Sequence, residues 1–379
     1  MEIEEVENLL QNDKDFKEGI DQGNINLNND DINEIPPTIY NPVQFQTEIL
    51  INYFQNKNIF KKIVVCPKCG QQCKMVKDNQ KLDKFVWRCR SRNPIHDTKL
   101  NLRINSVFEE SRYSIQIIYF LLFYCFTEKK SINSTLTECE SFSKQVGVVG
   151  INKQSIINFF AYIRKILKNK MHSNWSKSLL GEDGILDKNG YISCEIDESE
   201  IIGNSNVIYW MFGIVERSTK EARIFCVLNN RTKENLLPLV KNNIITAENE
   251  DNDDDEDLSE SESVKTRIYS DCFSSYQVND FKEMGYILKR VNHSVWFGYG
   301  IFHTNNIESL WGQIKRYCNN FSGISIESLN NKFNNNEDMI KDYLDGWICY
   351  SLFLRNIIRK KLSWNDRINY LCKFLECNI

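Results

Sequence analysis

Three acidic residues lie in segments that could bring them to one site. Asp197 stands in CEIDESEI and Asp271 in RIYSDCFSSY, and each follows a β-branched and aromatic run that predicts a strand ending near the acid. Glu308 lies in HTNNIESLWGQIKR, a predicted helix in which Lys315 falls on the same face two turns later. Converging carboxylates are the ligands that hard divalent cations prefer, and a pair of such cations promotes in-line displacement at phosphorus. These spacings therefore predict metal-dependent phosphoryl transfer.

Two features near these acids leave alternatives open. Side chains alternate along a strand, so Glu195 shares a face with Asp197 and the residues alone do not exclude it from the site. His293 and His303 precede the predicted helix and could position a phosphate or a water molecule. An isolated histidine is more often a satisfied hydrogen-bonding residue, which is the competing interpretation for both.

A second set of candidate ligands lies nearer the N-terminus. Cys66 and Cys69 form the turn CPKCG, in which two thiolates can grip one zinc ion, and Cys89 follows in WRCRSRNPIHD. His96 is the predicted fourth ligand of a structural zinc site, and Cys73 competes with it for that position. This arrangement favours bound zinc over unliganded thiols. Six basic residues around the module favour contact with DNA: Lys68, Lys74, Lys77, Arg88, Arg90 and Arg92.

The charge distribution favours a polyanionic partner. The net charge is −4, but residues 1–35 contribute −9 and residues 248–262 contribute −10, so the remainder carries +15. Contacts between basic side chains and phosphates supply most non-specific affinity for nucleic acid. Thirteen cysteines without a regular disulfide spacing indicate reduced thiols inside a cell. The longest apolar run, Ile115–Phe126, is too short to span a membrane, and no secretory leader is expected after Met1.

Periodicity and composition divide the chain into six predicted segments. They are a disordered acidic N-terminus at 1–37, a short helix within 38–62, a zinc ribbon at 63–104, a helical DNA-binding or linker region at 105–180, a catalytic domain at 188–320 with a disordered acidic insert at 247–264, and a helical region at 321–379. Within residues 105–180, two helices and a turn resemble a helix-turn-helix, although a helical linker would show similar spacing. The catalytic segment has the order strand–strand–strand–helix–strand–helix–strand–helix. That order predicts an α/β, ribonuclease H-like core with a mixed five-stranded sheet.

With these motifs laid out, the chain resembles transposases of the Merlin superfamily from about residue 66 to about residue 315. The matching pieces are the zinc ribbon, LRINSVFEESR read as a strand and helix, both aspartate segments, VNHSVWF and HTNNIESLWGQIKR. The last piece is the most specific, and its matching residues are Thr304, Asn305, Ile307, Glu308, Trp311, Lys315 and Arg316. The chain departs from the family at His96, where cysteine is usual, and in the acidic insert.

The resemblance implies a DDE core that performs cut-and-paste transposition. It assigns Asp197, Asp271 and Glu308 to a divalent metal, Mg²⁺ or Mn²⁺, and gives Lys315 a catalytic role at the DNA backbone. One site would hydrolyse the transposon end and then join its 3′-hydroxyl to target DNA. Trp311 could stack on a base, or could pack its helix onto the sheet. The residues expected to contact DNA are Lys315, Arg316, Trp311, His293, His303 and Asn305.

The expected partners are the terminal inverted repeats, the target DNA and further copies of the chain in a homodimer or higher multimer. A DNA substrate implies location in the nucleus, and no membrane association is expected. One alternative is a domesticated transposase that binds DNA through its zinc ribbon without transposition, but its expected sign, a lost carboxylate, is missing from this sequence. Another is a nuclease for RNA–DNA hybrids, which would not explain the zinc ribbon.

Overall fold

The computed structural model describes residues 46–127, 131–204, 207–228, 231–246, 265–291, 303–318 and 325–376. The predicted acidic segment 1–37, the predicted insert 247–264 and His293 lie outside these residues. The chain forms two units, which divide between Gln116 and Ile117.

The first unit combines one helix with a three-stranded antiparallel sheet. Helix α1 (Thr47–Asn56) buries Leu50, Ile51 and Phe54, whose spacing gives it one apolar face. The strands, which pair in chain order, are β1 (Lys74–Lys77), β2 (Phe85–Arg92) and β3 (Ile95–Asn101). β2 is therefore the central strand, and it buries Trp87 and Cys89 on one face.

A buried ion pair orders the chain that follows this sheet. Residues 102–111 form turns, so the helix predicted within LRINSVFEESR is absent. Arg103 donates from Nε and Nη2 to the carboxylate of Asp83 at 2.6 and 2.5 Å, and both side chains are buried. Arg103 also donates to the carbonyls of Ser111 and Tyr113. These extra hydrogen bonds offset the desolvation of the two charges, so the pair can hold the turns against the sheet.

Three helices lie between the three-stranded sheet and the next sheet in chain order. They are α2 (Ile115–Leu122), which ends in a π-helical turn over Phe123–Thr127, α3 (Ile132–Val146) and α4 (Lys153–Trp175). Ser131 and Asn152 cap α3 and α4, because their side chains accept hydrogen bonds from backbone amides in the first turn. Gly147 ends α3 with a φ of 67°, a left-handed conformation that glycine adopts without strain. A DNA-binding role for this helix pair stays a prediction.

A mixed sheet of five strands forms the centre of the second unit. In chain order the strands are β4 (Tyr191–Gly203), β5 (Ile208–Glu216), β6 (Ala222–Leu228), β7 (Lys265–Ser270) and β8 (Tyr286–Arg290). Their spatial order is β6-β5-β4-β7-β8. β4, β5 and β6 pair antiparallel, whereas β7 is parallel to both β4 and β8. The prediction of an α/β chain with a mixed five-stranded sheet is confirmed.

Strand β4 is longer than predicted, and the expectation that it ends near Asp197 is wrong. It continues to Gly203 because its antiparallel partner β5 pairs with it along that length, with an irregularity between Glu200 and Ile202. The parallel partner β7 pairs only as far as Glu195. Asp197 therefore lies in mid-strand, but just beyond the last residue that pairs with β7.

Helices cover both faces of the five-stranded sheet. One face packs against α5 (Lys233–Lys241) and α6 (Val278–Glu283) through a core that includes Leu236, Val240 and Phe281. The helix predicted to begin at Phe273 starts only at Val278, because residues 273–277 form a turn. The other face packs against helices that follow in sequence, α7 (Asn305–Cys318), α8 (Ile326–Phe333) and α9 (Glu337–Arg359).

The final helix, α10 (Trp364–Leu375), buries Ile368, Leu371 and Leu375. Within the described ranges, no helix combines the length and the apolar character needed to cross a membrane.

Candidate metal-binding and carboxylate sites

Four predicted zinc ligands lie together in the first unit. The ligand atoms of Cys66, Cys69, Cys89 and His96 are all within 4.8 Å of one another. Cys66 Sγ lies 3.4 Å from His96 Nε2, and Cys69 Sγ lies 3.6 Å from Cys89 Sγ. A tetrahedral zinc ion bound at about 2.3 Å to sulfur and about 2.0 Å to nitrogen needs ligand atoms roughly 3.5–3.8 Å apart. The cluster can therefore bind zinc, and it contains His96 rather than Cys73.

Two short-range structures assemble this cluster. Gly70 has a φ of 71°, and its amide donates to the carbonyl of Cys66 at 2.9 Å, which closes the turn between the first two thiols. In the β2–β3 hairpin, Cys89 pairs with Thr98, and His96 lies on the same face two residues earlier. His96 Nδ1 donates to the carbonyl of Pro94 at 2.9 Å, which leaves Nε2 as the atom facing the thiols.

The electrostatics of the thiols separate Cys66 from Cys73. Burial opposes ionisation of Cys66, but hydrogen bonds from the backbone of Lys68 and Cys69 outweigh it and lower its pKa to about 6. Burial raises the pKa of Cys73, and the neighbouring charges of Cys66 and Cys69 raise it further. Burial and the neighbouring thiols also raise the pKa of Cys89, to about 12, so the position of the sulfur atoms, and not their pKa, excludes Cys73 from the cluster.

The three predicted catalytic acids come from three elements of the second unit. Strand register pairs Glu195 with Tyr269, and continuing it by two residues places Asp197 beside Asp271, which directly follows β7. Glu308 lies in the first turn of α7, the helix that packs on this face of the sheet. The elements therefore direct all three acids toward one end of the sheet, on the α7 face.

Trp311 fastens α7 to the strand that carries Asp197. The β5 partner of Asp197 is Gly213, and a Cβ there would lie 2.5 Å from the indole ring. Only glycine leaves room for this contact. The indole Nε1 donates to Asp197 Oδ2 at 2.8 Å, and the side chain is only 7% exposed. The packing role considered for Trp311 therefore agrees with its position better than stacking on a base does.

The acids influence one another electrostatically. Burial raises the pKa of Asp197 to about 6, with the charges of Asp271 and Glu308 adding to the rise and the Trp311 hydrogen bond opposing it. Asp271 Oδ1 accepts from the amide of Phe273 at 2.9 Å, and Glu308 Oε1 accepts from the hydroxyl of Thr304 at 2.8 Å. Among the described residues, the close group of potential metal ligands is the cysteine–histidine cluster, so the three carboxylates stand further apart than ligands that enclose an ion. Their mutual repulsion favours a cation near them, and carboxylate oxygens are the donors that hard divalent cations take.

Glu195, the alternative acid, has a different environment. Its side chain is fully buried, and it accepts from Arg217 Nε at 2.7 Å, from Asn306 Nδ2 at 2.6 Å and from the amide of Ile307 at 3.0 Å. The last two donors belong to the start of α7, where a carboxylate is favoured by the helix dipole. His303 Nδ1 lies 3.4 Å away. Glu195 thus anchors the N-terminus of the helix that carries Glu308.

Glu198 is an acid that sequence reasoning did not place. Its side chain is 2% exposed, and alternation directs it to the opposite face of the sheet from Asp197. Burial, followed by the charges of Asp197 and Asp271, raises its pKa to about 8. Arg231 lies 3.6 Å from its Oε2, while its buried Oε1 has no hydrogen-bond partner among the described residues. The sequence offers no signal for this pair, because the two residues come from separate elements.

The remaining predicted site residues lie around α7. Lys315 and Arg316 are exposed in its last turn, and Asn305 is exposed at its start. His303 is partly buried, and its carbonyl accepts from Arg217. Burial, with the charge of Arg217, lowers the pKa of His303. His293 lies outside the described residues.

Neither a protein-family profile nor a curated protein sequence matches this chain. Among solved structures, the chain is similar to a chain in the cryo-EM structure of the simian T-cell lymphotropic virus intasome in complex with the PP2A regulatory subunit B56 gamma. The identity is 11% and the TM-score is 0.24, and the match covers 62% of this chain and 65% of that chain. A TM-score this low does not show a shared fold.

Proposed function

We propose that this protein is a DNA transposase of the DDE type, related to the Merlin superfamily. The observation that carries the proposal is the position of Asp197, whose carboxyl group is affected by the charges of both Asp271 and Glu308. The acids of β4, of the end of β7 and of the first turn of α7 therefore influence one another electrostatically at one end of the sheet. The order β6-β5-β4-β7-β8, with three antiparallel strands followed by two parallel ones, supports a ribonuclease H-like core.

The donor chemistry of the three acids fits a divalent cation, and their carboxylates would have to approach one another to enclose it. Asp197, Asp271 and Glu308 supply hard oxygen donors, and their mutual repulsion is the cost that a bound cation would remove. These three residues would hold Mg²⁺ or Mn²⁺, which when bound would supply polarisation of a phosphate and a lower pKa for an attacking water or 3′-hydroxyl. Asp197 is held for this role by Trp311, and Glu308 is held by the anchoring of α7 on Glu195.

Two basic residues of α7 are placed to contact the DNA. Lys315 and Arg316 lie seven and eight residues beyond Glu308, so Lys315 shares its face and can contact the strand near the cut. The zinc-binding unit would add a second contact with DNA, through the basic residues of its sheet. The partners of this function are terminal inverted repeats, target DNA and further copies of the chain, and the reaction takes place in the nucleus.

The test is strand cleavage by the purified full-length chain in Mg²⁺, with supercoiled plasmid that carries the genomic flanks of the coding region. We expect Asp197→Asn, Asp271→Asn and Glu308→Gln each to abolish cleavage while DNA binding is retained. Glu200→Gln is the matched control, because Glu200 is an exposed acid on the same strand as Asp197. Cleavage that persists in any of the three variants would remove that residue from the site.

The same assay separates the alternatives. An RNA–DNA hybrid cut in preference to the plasmid would indicate a hybrid nuclease instead. A wild-type chain that binds DNA but cuts neither substrate would indicate a domesticated DNA-binding protein.

A further inference from the structure

A cavity lies at the end of the sheet that carries the acids. Its volume is about 480 Å³, and two loops line it, residues 231–234 at the start of α5 and residues 273–275 after β7. Ser275 Oγ donates to the carbonyl of Arg231 at 2.6 Å, which ties the two loops together. Two basic side chains, one carboxylate, three hydroxyl groups and one aromatic ring therefore line the same space.

Arg231 is held in place within this cavity. Its guanidinium lies 3.7 Å from the ring centroid of Trp210 and 4.5 Å from that of Phe273, distances typical of cation–π contact. The arginine side chain remains 30% exposed. Glu198 Oε2 is 3.6 Å away, beyond hydrogen-bonding distance, so the guanidinium keeps donors for a further partner. A planar arginine fixed in this way is suited to phosphate.

The first turn of α5 does not supply the anion site by itself. The Glu234 carboxylate already accepts hydrogen bonds from its own amide and from the Thr232 hydroxyl. Lys233, at the rim, is half exposed and lies 3.4 Å from Asp280. The basic side chains, and above all Arg231, are thus the groups that a ligand would meet.

The cavity wall is continuous with the acidic site. Phe273 forms part of this wall, and its amide donates to the Asp271 carboxylate at 2.9 Å. Glu198, which contacts Arg231, directly follows Asp197 on β4. The cavity therefore adjoins the acids through Phe273 on one side and Glu198 on the other.

We propose that this cavity binds a backbone phosphate of the DNA strand that enters the acidic site, with Arg231 as its principal ligand. The proposal rests on the proposed function, since it takes the carboxylates as the point of cleavage. Phosphate held here would fix the strand on the α5 face of the sheet, while Lys315 acts on the α7 face. The cavity would contact the backbone only and would therefore not discriminate between base sequences.

The test is the salt dependence of binding of the full-length chain to a 30-base-pair DNA duplex of arbitrary sequence, without added divalent metal so that the DNA stays intact. Each phosphate contact contributes about 0.9 to the slope of log affinity against log salt concentration. We expect Arg231→Gln to lower that slope by about 0.9 and to weaken binding about tenfold at 0.15 M salt. Arg231→Lys retains the charge and should retain the slope.

Lys332→Gln is the matched control, because Lys332 is also an exposed cation that lies over aromatic rings, those of Phe333 and Tyr343. Lys332 belongs to α8 and is not part of the cavity. The slope of this variant should equal that of the wild type. A wild-type slope for a folded Arg231→Gln protein would overturn the proposal. If Arg231→Gln does not fold, the rim variant Lys233→Gln decides by the same criterion. Failure of the proposed function is a separate result, because it is read from plasmid cleavage by the unaltered chain.

Discussion

The two candidate metal sites of this protein are built over very different lengths of chain. The zinc cluster spans residues 66–96 and forms within one turn and one hairpin of the first unit. The carboxylate site spans residues 197–308 and depends on the ends of two interior strands, a helix and the contacts between them. Ligands close in sequence can be aligned by local backbone geometry, whereas distant ones need supporting residues. Gly213, Trp311 and Glu195 are those supports in the second unit.

The two sites also differ in the part that metal plays in stability. The cysteines of the zinc cluster bind as thiolates and His96 binds as a neutral imidazole, and binding of the ion then contributes directly to folding. The acids of the second site are supported by packing and hydrogen bonds that exist without any ion. Removing zinc should therefore unfold its unit, whereas disrupting the second site requires a change to the protein.

The largest effect expected is that of zinc removal. Structural zinc contributes on the order of 10 kcal/mol in zinc-finger peptides. We expect one zinc per chain by elemental analysis, and none in Cys89→Ser. On chelation, amide hydrogen exchange should rise to unfolded rates in β2 (Phe85–Arg92) and stay slow in β5 (Ile208–Glu216). Cys73→Ser, the control, should keep its zinc, and loss of the ion from that variant would place Cys73 in the cluster.

The next largest effect should come from Glu195→Ala. The change leaves Arg217, which is 12% exposed, without its carboxylate and frees the amide of Ile307. Breaking a buried ion pair costs about 3–5 kcal/mol, so urea unfolding should show a loss of about 3 kcal/mol. Cleavage should fall as well, because α7 loses its anchor. Glu200→Ala, which changes an exposed residue of the same strand, should alter stability by less than about 0.5 kcal/mol. Equal losses in both variants would argue against an anchoring role.

Residue types in the sequence predicted more of the first site than of the second. The Cys66–Cys69 turn and Cys89 could be predicted from their spacing, whereas the fourth ligand stayed open between His96 and Cys73 until the β2–β3 hairpin placed His96 beside the thiols. For the second site, the α/β class and the five-stranded sheet could be predicted from β-branched runs. The extension of β4 beyond Asp197 could not, because it depends on pairing with β5.

The same limit applies to the supporting residues. Glu195 and Asp197 share a face of β4, so alternation does not distinguish them. Their different roles come from α7, which lies more than 100 residues later in the chain: the amide of Ile307 binds Glu195, and the indole of Trp311 binds one oxygen of Asp197. The role of Arg231 could not be predicted from the sequence for a similar reason, because its aromatic partners lie on other elements. The sequence around Asp345 predicts a surface charge, and this prediction is wrong, because the residue is 7% exposed and accepts from the amide of Cys226 on a distant strand.

A smaller effect should follow from Gly213→Ala. The added Cβ would approach the Trp311 ring to 2.5 Å, and overpacking of this kind costs about 1–3 kcal/mol. Displacement of the indole should also break its hydrogen bond to Asp197, which should lower cleavage. Gly312→Ala is the control on α7, since its Cβ would meet nothing within 4 Å and alanine favours the helix. Unchanged stability and cleavage in Gly213→Ala would mean that α7 can shift without cost.

The smallest expected effect concerns Asp345, a buried acid that lies outside the carboxylate site. Burial raises the pKa of Asp345 to about 6, as it does for Asp197, but the residue sits on α9 with a single backbone amide donor. Because the folded pKa exceeds the unfolded one of about 3.9, the stability associated with the neutral acid is complete below pH 4 and is lost as the pH rises through 6. Asp345→Asn should therefore raise the free energy of unfolding by about 2 kcal/mol at pH 7.5, or about 5 °C in Tm, and leave it unchanged at pH 4. An equal shift in Tm at both pH values would show that ionisation of Asp345 is not the cause. Cleavage should not change in this variant, in contrast to Asp197→Asn, because Asp345 supports the sheet and does not face the acids.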